Sequence, residues 1–161
     1  MIGAAGLTPS RLARTYRRAS KQVAPQLPWV LALTDEQRLL FRERGHLLAT
    51  SLLQYLDASQ PATAKHHLAE ATDSAEEYGS VAARLGLSLS QTVEGFLRFR
   101  APFHQELAIA ARKRGFDAAE TADLLGTAER AMDRLLEATM AGHGKTRGPD
   151  PRAGGAARIR P

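Results

Sequence analysis

Small and apolar side chains recur through residues 64–85 at alternating steps of four and three residues. The set is Ala64, Leu68, Ala71, Ala75, Tyr78, Ala82 and Leu85. This spacing places every member on one face of an α-helix. Because most of them are small, the backbone of a partner helix can approach closely. The pattern predicts a protein built by packing helices against one another.

The composition agrees with an all-α domain. The chain has 161 residues, enough for one domain with a buried core, and only 6% are aromatic. It contains no cysteine, which excludes disulfides, thiolate metal sites and a cysteine nucleophile and fits a cytoplasmic protein. We also expect no membrane span, because no stretch of 18 apolar residues occurs.

Helix start and stop signals divide the chain into three parts. Thr8 and Pro9 open a first helix that we expect to reach about Ala24, followed by an apolar connector from Trp29 to Leu33. Four long helices then follow, the third of them capped by either Ser88 or Ser90 and the last ended by Gly142. The prediction is a basic N-terminal helix and connector, an antiparallel bundle of four long helices and a disordered basic tail, over 1–33, 34–141 and 142–161.

Positive charge is concentrated at the two ends of the chain. Residues 1–33 contain five basic residues and no acid, residues 142–161 contain five and one acid, and residues 34–141 have a net charge of −4. The N-terminal helix either docks on a protein partner, nucleic acid or membrane surface, or is a solvated connector. Candidate interaction residues are Arg11, Arg14, Arg17, Arg18, Lys21 and Trp29, with Arg98 and Arg100 beside the phenylalanines of a later helix.

No motif for catalysis or cofactor binding is found. A di-iron site in a helical bundle needs two Glu-x-x-His pairs, and this chain has only Glu43 with His46. His46 and His104 border apolar stripes and could each ligate a haem, but neither lies in a haem motif. Nucleophile elbows and glycine-rich phosphate loops are absent from the sequence. We therefore expect a protein that is not an enzyme and has no metal or cofactor.

One segment, 81–93, imitates the helix-turn-helix of DNA-binding proteins. Gly86 is followed by an apolar residue, Val93, seven positions later, where such motifs have six. One residue corresponds to about 100° of helix rotation, enough to turn the recognition face away. DNA-binding regulation through this segment or the basic ends is the alternative function.

Two positions suggest a soft layer across the bundle. Pro102 interrupts the hydrogen bonds of its helix beside Phe99 and Phe103, and Gly45 weakens another helix. If these residues face each other, a small apolar ligand could enter between them, or the helix could switch between two bends. The alternative is a static kink that only shapes the core.

The segment 77–143 resembles a known family of sensor domains. The runs EYGSVAARLGLSLSQTVEGFLRFRAPFHQEL and RGFDAAETADLLGTAERAMDRLLEATMAGH are similar to the all-helical N-terminal sensor domain of stressosome RsbT co-antagonists and related bacterial regulators. The resemblance implies signal reception in a stress response by a non-catalytic domain that dimerises. It implies no particular functional residue. The expected function is a non-enzymatic regulatory module that acts through a protein partner or self-association.

Overall fold

The fold is all-helical, as predicted. The structure, a computed structural model, describes residues 8–147, and these contain α-helices and one short 3-10 helix, Ala24–Gln26, with no strand. The helices are α1 (Pro9–Ser20), α2 (Pro28–Leu31), α3 (Asp35–Asp57), α4 (Pro61–Arg84), α5 (Leu89–Lys113) and α6 (Ala118–Arg147).

Side-chain caps mark where the long helices α3 and α5 begin. The Thr34 hydroxyl accepts a hydrogen bond from the Gln37 amide (3.2 Å), and the Gln37 side chain accepts one from the Thr34 amide (3.0 Å). Ser88 and Gln91 form the same reciprocal pair at the start of α5, so Ser88 rather than Ser90 is the cap. These bonds satisfy amides that have no partner inside the helix.

Helices α4 and α6 form the closest pair, and they run in parallel. Near their C-terminal ends the hydroxyls of Ser80 and Thr146 share a hydrogen bond of 2.6 Å. Near their N-terminal ends Ala64 and Thr127 line one groove. α4 packs mainly on α3 and α6 and hardly touches its sequence neighbour α5. The helical bundle is as predicted, and the antiparallel arrangement of all four long helices stays a prediction.

Glycine makes the α4–α6 contact possible. A β-carbon at Gly79 would lie 2.8 Å from the carbonyl carbon of Thr139, and one at Gly142 would lie 2.7 Å from that of Glu76. Neither helix could approach so closely with a side chain at these positions. Gly142 therefore serves packing, and the prediction that it ends the last helix is wrong. α6 continues to Arg147, and the remainder of the predicted disordered tail lies outside the described residues.

The N-terminal segment packs onto the bundle instead of standing apart. α1 buries Leu12 and Ala13 against α3 and α5. It ends at Ser20, earlier than predicted, because the chain tightens into the 3-10 helix containing Pro25 and then buries Leu27. The connector also packs on the bundle, where the Trp29 ring stands at 78° to the Phe41 ring with 6.1 Å between their centroids.

Candidate functional site

A cavity of about 400 Å³ lies beneath the N-terminal helix. Its walls come mainly from α1, α3 and α5, and Val30, Tyr78, Met132 and Leu135 complete it. Cavities that hold small organic ligands commonly measure about 300–1,000 Å³. The space is therefore large enough for a ligand, and α1 forms part of its wall.

Aromatic rings dominate the deep part of the cavity. The rings of Phe41 and Tyr78 are 4.7 Å apart between centroids, and Tyr16 meets Phe103 edge to face at 5.6 Å. Phe41, Tyr78 and Phe103 are each at most 5% exposed. The remaining buried wall is aliphatic or aromatic, made of Leu48, Ala49, Leu52, Phe96, Met132 and Leu135. Such a surface favours an apolar molecule over a polar one.

Three residues of the predicted soft layer lie together on this cavity. Gly45, Phe99 and Phe103 all line it. A β-carbon at Gly45 would be 3.6 Å from the ring of Tyr78, so the glycine keeps that side of the cavity open. Pro102 is buried but does not line the cavity, and α5 is continuous through it. The structure thus brings the predicted residues of α3 and α5 to one place, while a switch between two bends stays a prediction.

The mouth of the cavity is basic. Arg17 of α1, Lys21 directly after α1 and Arg42 of α3 line it and are exposed, while Arg38 and Arg100 line it and are half-buried. No acidic side chain is among the described residues that line the cavity. Of the predicted interaction residues, Arg17, Lys21 and Arg100 therefore belong to the cavity.

Two tyrosine hydroxyls lie in this largely apolar surrounding. Burial raises the pKa of Tyr16 and of Tyr78 well above the usual range. Both phenols therefore keep their protons at neutral pH and remain hydrogen-bond donors. Within residues 8–147 neither hydroxyl makes a hydrogen bond, so each can donate to a molecule in the cavity.

His46 adds a titratable group to the cavity wall. Burial, and secondly the positive charge of Arg17, lower its pKa, so its imidazole is neutral at neutral pH. Its Nδ1 atom is buried and has no hydrogen-bond partner in the described part of the chain. The effect of Arg17 on His46 indicates that positive potential extends from the mouth to the wall.

A second polar cluster joins α5 to α6 beside the cavity. Arg100 lies 3.4 Å from carboxylate oxygens of both Glu129 and Asp133, and Nε2 of His104 lies 3.6 Å from Glu129. Burial lowers the pKa of His104, Glu129 opposes that shift, and Arg100 adds to it. Arg100 is thus engaged in holding two helices together.

The other predicted interaction residues are scattered. Arg11, Arg14 and Arg18 are exposed on α1 away from the cavity, and Arg98 borders a shallow groove with Leu97 and Met140. Trp29 is half-buried, and its ring would lie 2.9 Å from a β-carbon at Gly95. Its packing holds the connector on the body, and a contact of Trp29 with a partner stays a prediction.

The site also includes residues that the sequence interpretation missed. Arg38 and Arg42 come from α3, and Tyr16 and Tyr78 were expected only as core residues. Arg38, Arg42 and Gly45 follow one another at steps of four and three, which places them on one helix face. That spacing was a usable signal for a basic rim.

The helix-turn-helix-like segment 81–93 presents few side chains that could bind DNA. In the first two turns of α5 the charged side chain is Glu94, and Thr92 is buried with its hydroxyl bonded to the Ser88 carbonyl oxygen. Phosphate recognition needs positive charge at such a helix. Within residues 8–147 no group of three potential metal ligands converges either.

Comparisons of the chain with family models, curated proteins and solved structures gave no match. The resemblance of segment 77–143 to the co-antagonist sensor domains therefore stays a prediction. No helix in the described part of the chain combines the length and apolarity needed to cross a membrane.

Proposed function

We propose that this chain is a non-enzymatic regulatory module that receives a small ligand in the cavity beneath α1 and acts through a protein partner or a second copy. The observation that carries the proposal is an apolar cavity one wall of which is the docked helix α1. A ligand bound beneath α1 changes the contacts by which α1 packs on α3 and α5. Ligand occupancy can therefore be converted into a change at the protein surface.

Exposed apolar side chains support the second half of the proposal. Leu39 and Leu47 lie two turns apart on α3 and are 48% and 50% exposed. Leu97 on α5 is 46% exposed beside Met140 of α6. Neighbouring exposed apolar side chains are typical of protein interaction surfaces. In this proposal the four long helices act as a bundle that presents these faces.

The proposal is tested with an uncharged fluorescent probe, N-phenyl-1-naphthylamine, added to the purified chain. We expect saturable binding and slower hydrogen exchange of the α1 amides when the probe is bound. Ala49→Leu fills part of the cavity wall and should weaken binding by about tenfold or more, equivalent to ~1.4 kcal/mol.

Ala69→Leu is the matched control for this experiment. Ala69 is an exposed helical alanine outside the cavity, so the same substitution there should leave binding unchanged. Absence of saturable binding to the unmodified chain would contradict the proposal. Equal weakening by the two variants would also contradict it, because binding would then not depend on the cavity.

A further inference from the structure

The charged groups that line the cavity all have the same sign. Arg17, Lys21, Arg38, Arg42 and Arg100 line it, and no carboxylate does so among residues 8–147. Arg17 and Lys21 come from the basic N-terminal segment, whereas Arg38, Arg42 and Arg100 belong to residues 34–141, which are net acidic. Three cations of this acidic body on one cavity are therefore a local departure from its charge. A binding site for a neutral molecule has no need of this concentration of charge.

Three of these cations have no acidic partner among residues 8–147. Arg38 pairs with Asp35, and Arg100 with Glu129 and Asp133. Within the described residues no ion pair engages Arg17, Lys21 or Arg42, and all three are exposed at the mouth. Their charges are therefore available to a molecule that enters the cavity.

The interior has the opposite character. Phe41, Phe96, Phe103 and Leu52 are buried on the cavity wall and present only carbon. The surface is therefore divided into a deep apolar part and a basic mouth. A molecule that matches it has the same division, with an apolar body and a negatively charged end.

We propose that the ligand is an amphiphile with one anionic head group, whose apolar tail fills the cavity and whose head is bound by Arg17, Lys21 and Arg42. This inference rests on the proposed function, since it names the class of molecule that the cavity receives. A cavity of about 150 Å³ accommodates benzene. The volume of about 400 Å³ therefore suits a tail on the order of a dozen carbon atoms.

The tyrosines allow a second contact with the same head group. Tyr16 lies one residue before Arg17 on α1, lines the cavity and has a free, protonated hydroxyl. A carboxylate accepts hydrogen bonds from a phenol and a guanidinium at once, and bonds to an ionised group are the stronger ones. A head group without negative charge would form only weaker hydrogen bonds with these side chains.

The experiment compares probes that share a straight chain of twelve carbon atoms, the carboxylate carbon included, and differ in the charge of the head. Dodecanoate, dodecan-1-ol and dodecyltrimethylammonium are each titrated below the micelle concentration or solubility limit, in competition with the uncharged fluorescent probe. We expect dodecanoate to bind about tenfold or more tighter than dodecan-1-ol, as charge-assisted hydrogen bonds predict, and the cation to bind least tightly.

A pair of charge-matched variants locates the effect. Arg17→Gln with Lys21→Gln removes two charges from the mouth, and Arg14→Gln with Arg18→Gln removes two from the exposed remainder of α1. The first variant should reduce dodecanoate affinity by about tenfold and leave dodecan-1-ol affinity unchanged, while the second should leave both unchanged. Circular dichroism confirms that each variant is folded.

The outcomes separate this inference from the proposed function. Equal affinity for dodecanoate and dodecan-1-ol, or equal losses in the two variants, would overturn the anionic ligand while the cavity remained a ligand site. Failure of the uncharged probe and of all three dodecyl compounds to bind would overturn both. The comparison of head groups uses the unmodified chain, so it decides the question even if a variant does not fold.

Discussion

The backbone of Gly142 lies so close to that of Glu76 that a β-carbon at position 142 would be 2.7 Å from the Glu76 carbonyl carbon. The neighbouring pair Gly79 and Thr139 repeats this relationship along the same helix contact. The two glycines let α4 and α6 approach backbone to backbone. Nε2 of His143 then donates to the Leu87 carbonyl oxygen at 2.8 Å, which ties α6 to the turn after α4.

Substitution of Gly142 by alanine should destabilise the protein, because the added methyl group forces α4 and α6 apart. Overpacking of this kind costs about 1–3 kcal/mol. Gly144→Ala is the control two residues away, where a β-carbon meets nothing within 4 Å. It should instead raise the free energy of unfolding by up to about 1 kcal/mol, since alanine is the better helix former. Urea unfolding measures both values, and a loss in Gly144→Ala as large as that in Gly142→Ala would contradict the packing argument.

Loss of the Ser88 cap should destabilise α5. Its hydroxyl accepts the hydrogen bond of the Gln91 amide at 3.1 Å, and alanine would leave that amide without its side-chain partner. We expect Ser88→Ala to lower the free energy of unfolding by about 1 kcal/mol. Ser90→Ala should change it much less, since Ser90 is exposed and makes no capping bond. Thermal unfolding of the two variants checks the assignment, and the reverse order would contradict it.

The sequence was sufficient to predict features that depend on neighbouring residues. The capping boxes at Thr34 and Asp117 and the helical seam through Ala71 and Ala75 are local patterns, and the structure has each of them. Helical spacing identifies which face of a helix is buried, but it does not identify the partner. For that reason α6 could not be predicted as the main partner of α4.

The residues that form the cavity could also be predicted only in part from the sequence. The sequence left open whether Gly45 and Phe99 face each other, and the structure places both on the cavity. Its basic mouth combines Lys21, the residue after α1, with Arg42 of α3. These charges meet only because α1 folds back over α3. No spacing rule connects residues through a tertiary contact of this kind.

Stability should fall as the pH is lowered from 7 to 5. The folded chain holds the pKa of His46 and of His104 below the ordinary value, mainly by burial. As the pH drops below about 6.5, the unfolded chain therefore binds protons first, and the free energy of unfolding decreases. The loss is complete only below the pKa values of the folded chain.

Urea unfolding at several pH values tests this dependence. His46→Gln should make the decrease between pH 7 and pH 5 smaller, since the variant has no imidazole to protonate at this position. His66→Gln is the control, because the His66 side chain is 68% exposed. A decrease in His46→Gln as steep as in the unmodified chain would show that His46 does not cause it.

Pro102→Ala decides between a static helix and a switching one. The proline lacks the amide that would bond to the Arg98 carbonyl oxygen, and alanine restores that bond. Its ring is buried but does not line the cavity, and α5 is continuous through it. We therefore expect the variant to change in stability while its affinity for the uncharged probe stays within about twofold, a difference below ~0.5 kcal/mol.

If α5 alternates between two bends, the restored hydrogen bond favours one of them, and probe affinity would shift by about fivefold or more. Fluorescence titration of the variant beside the unmodified chain distinguishes the two cases, and a shift of that size would establish Pro102 as a hinge through which the ligand acts on α5.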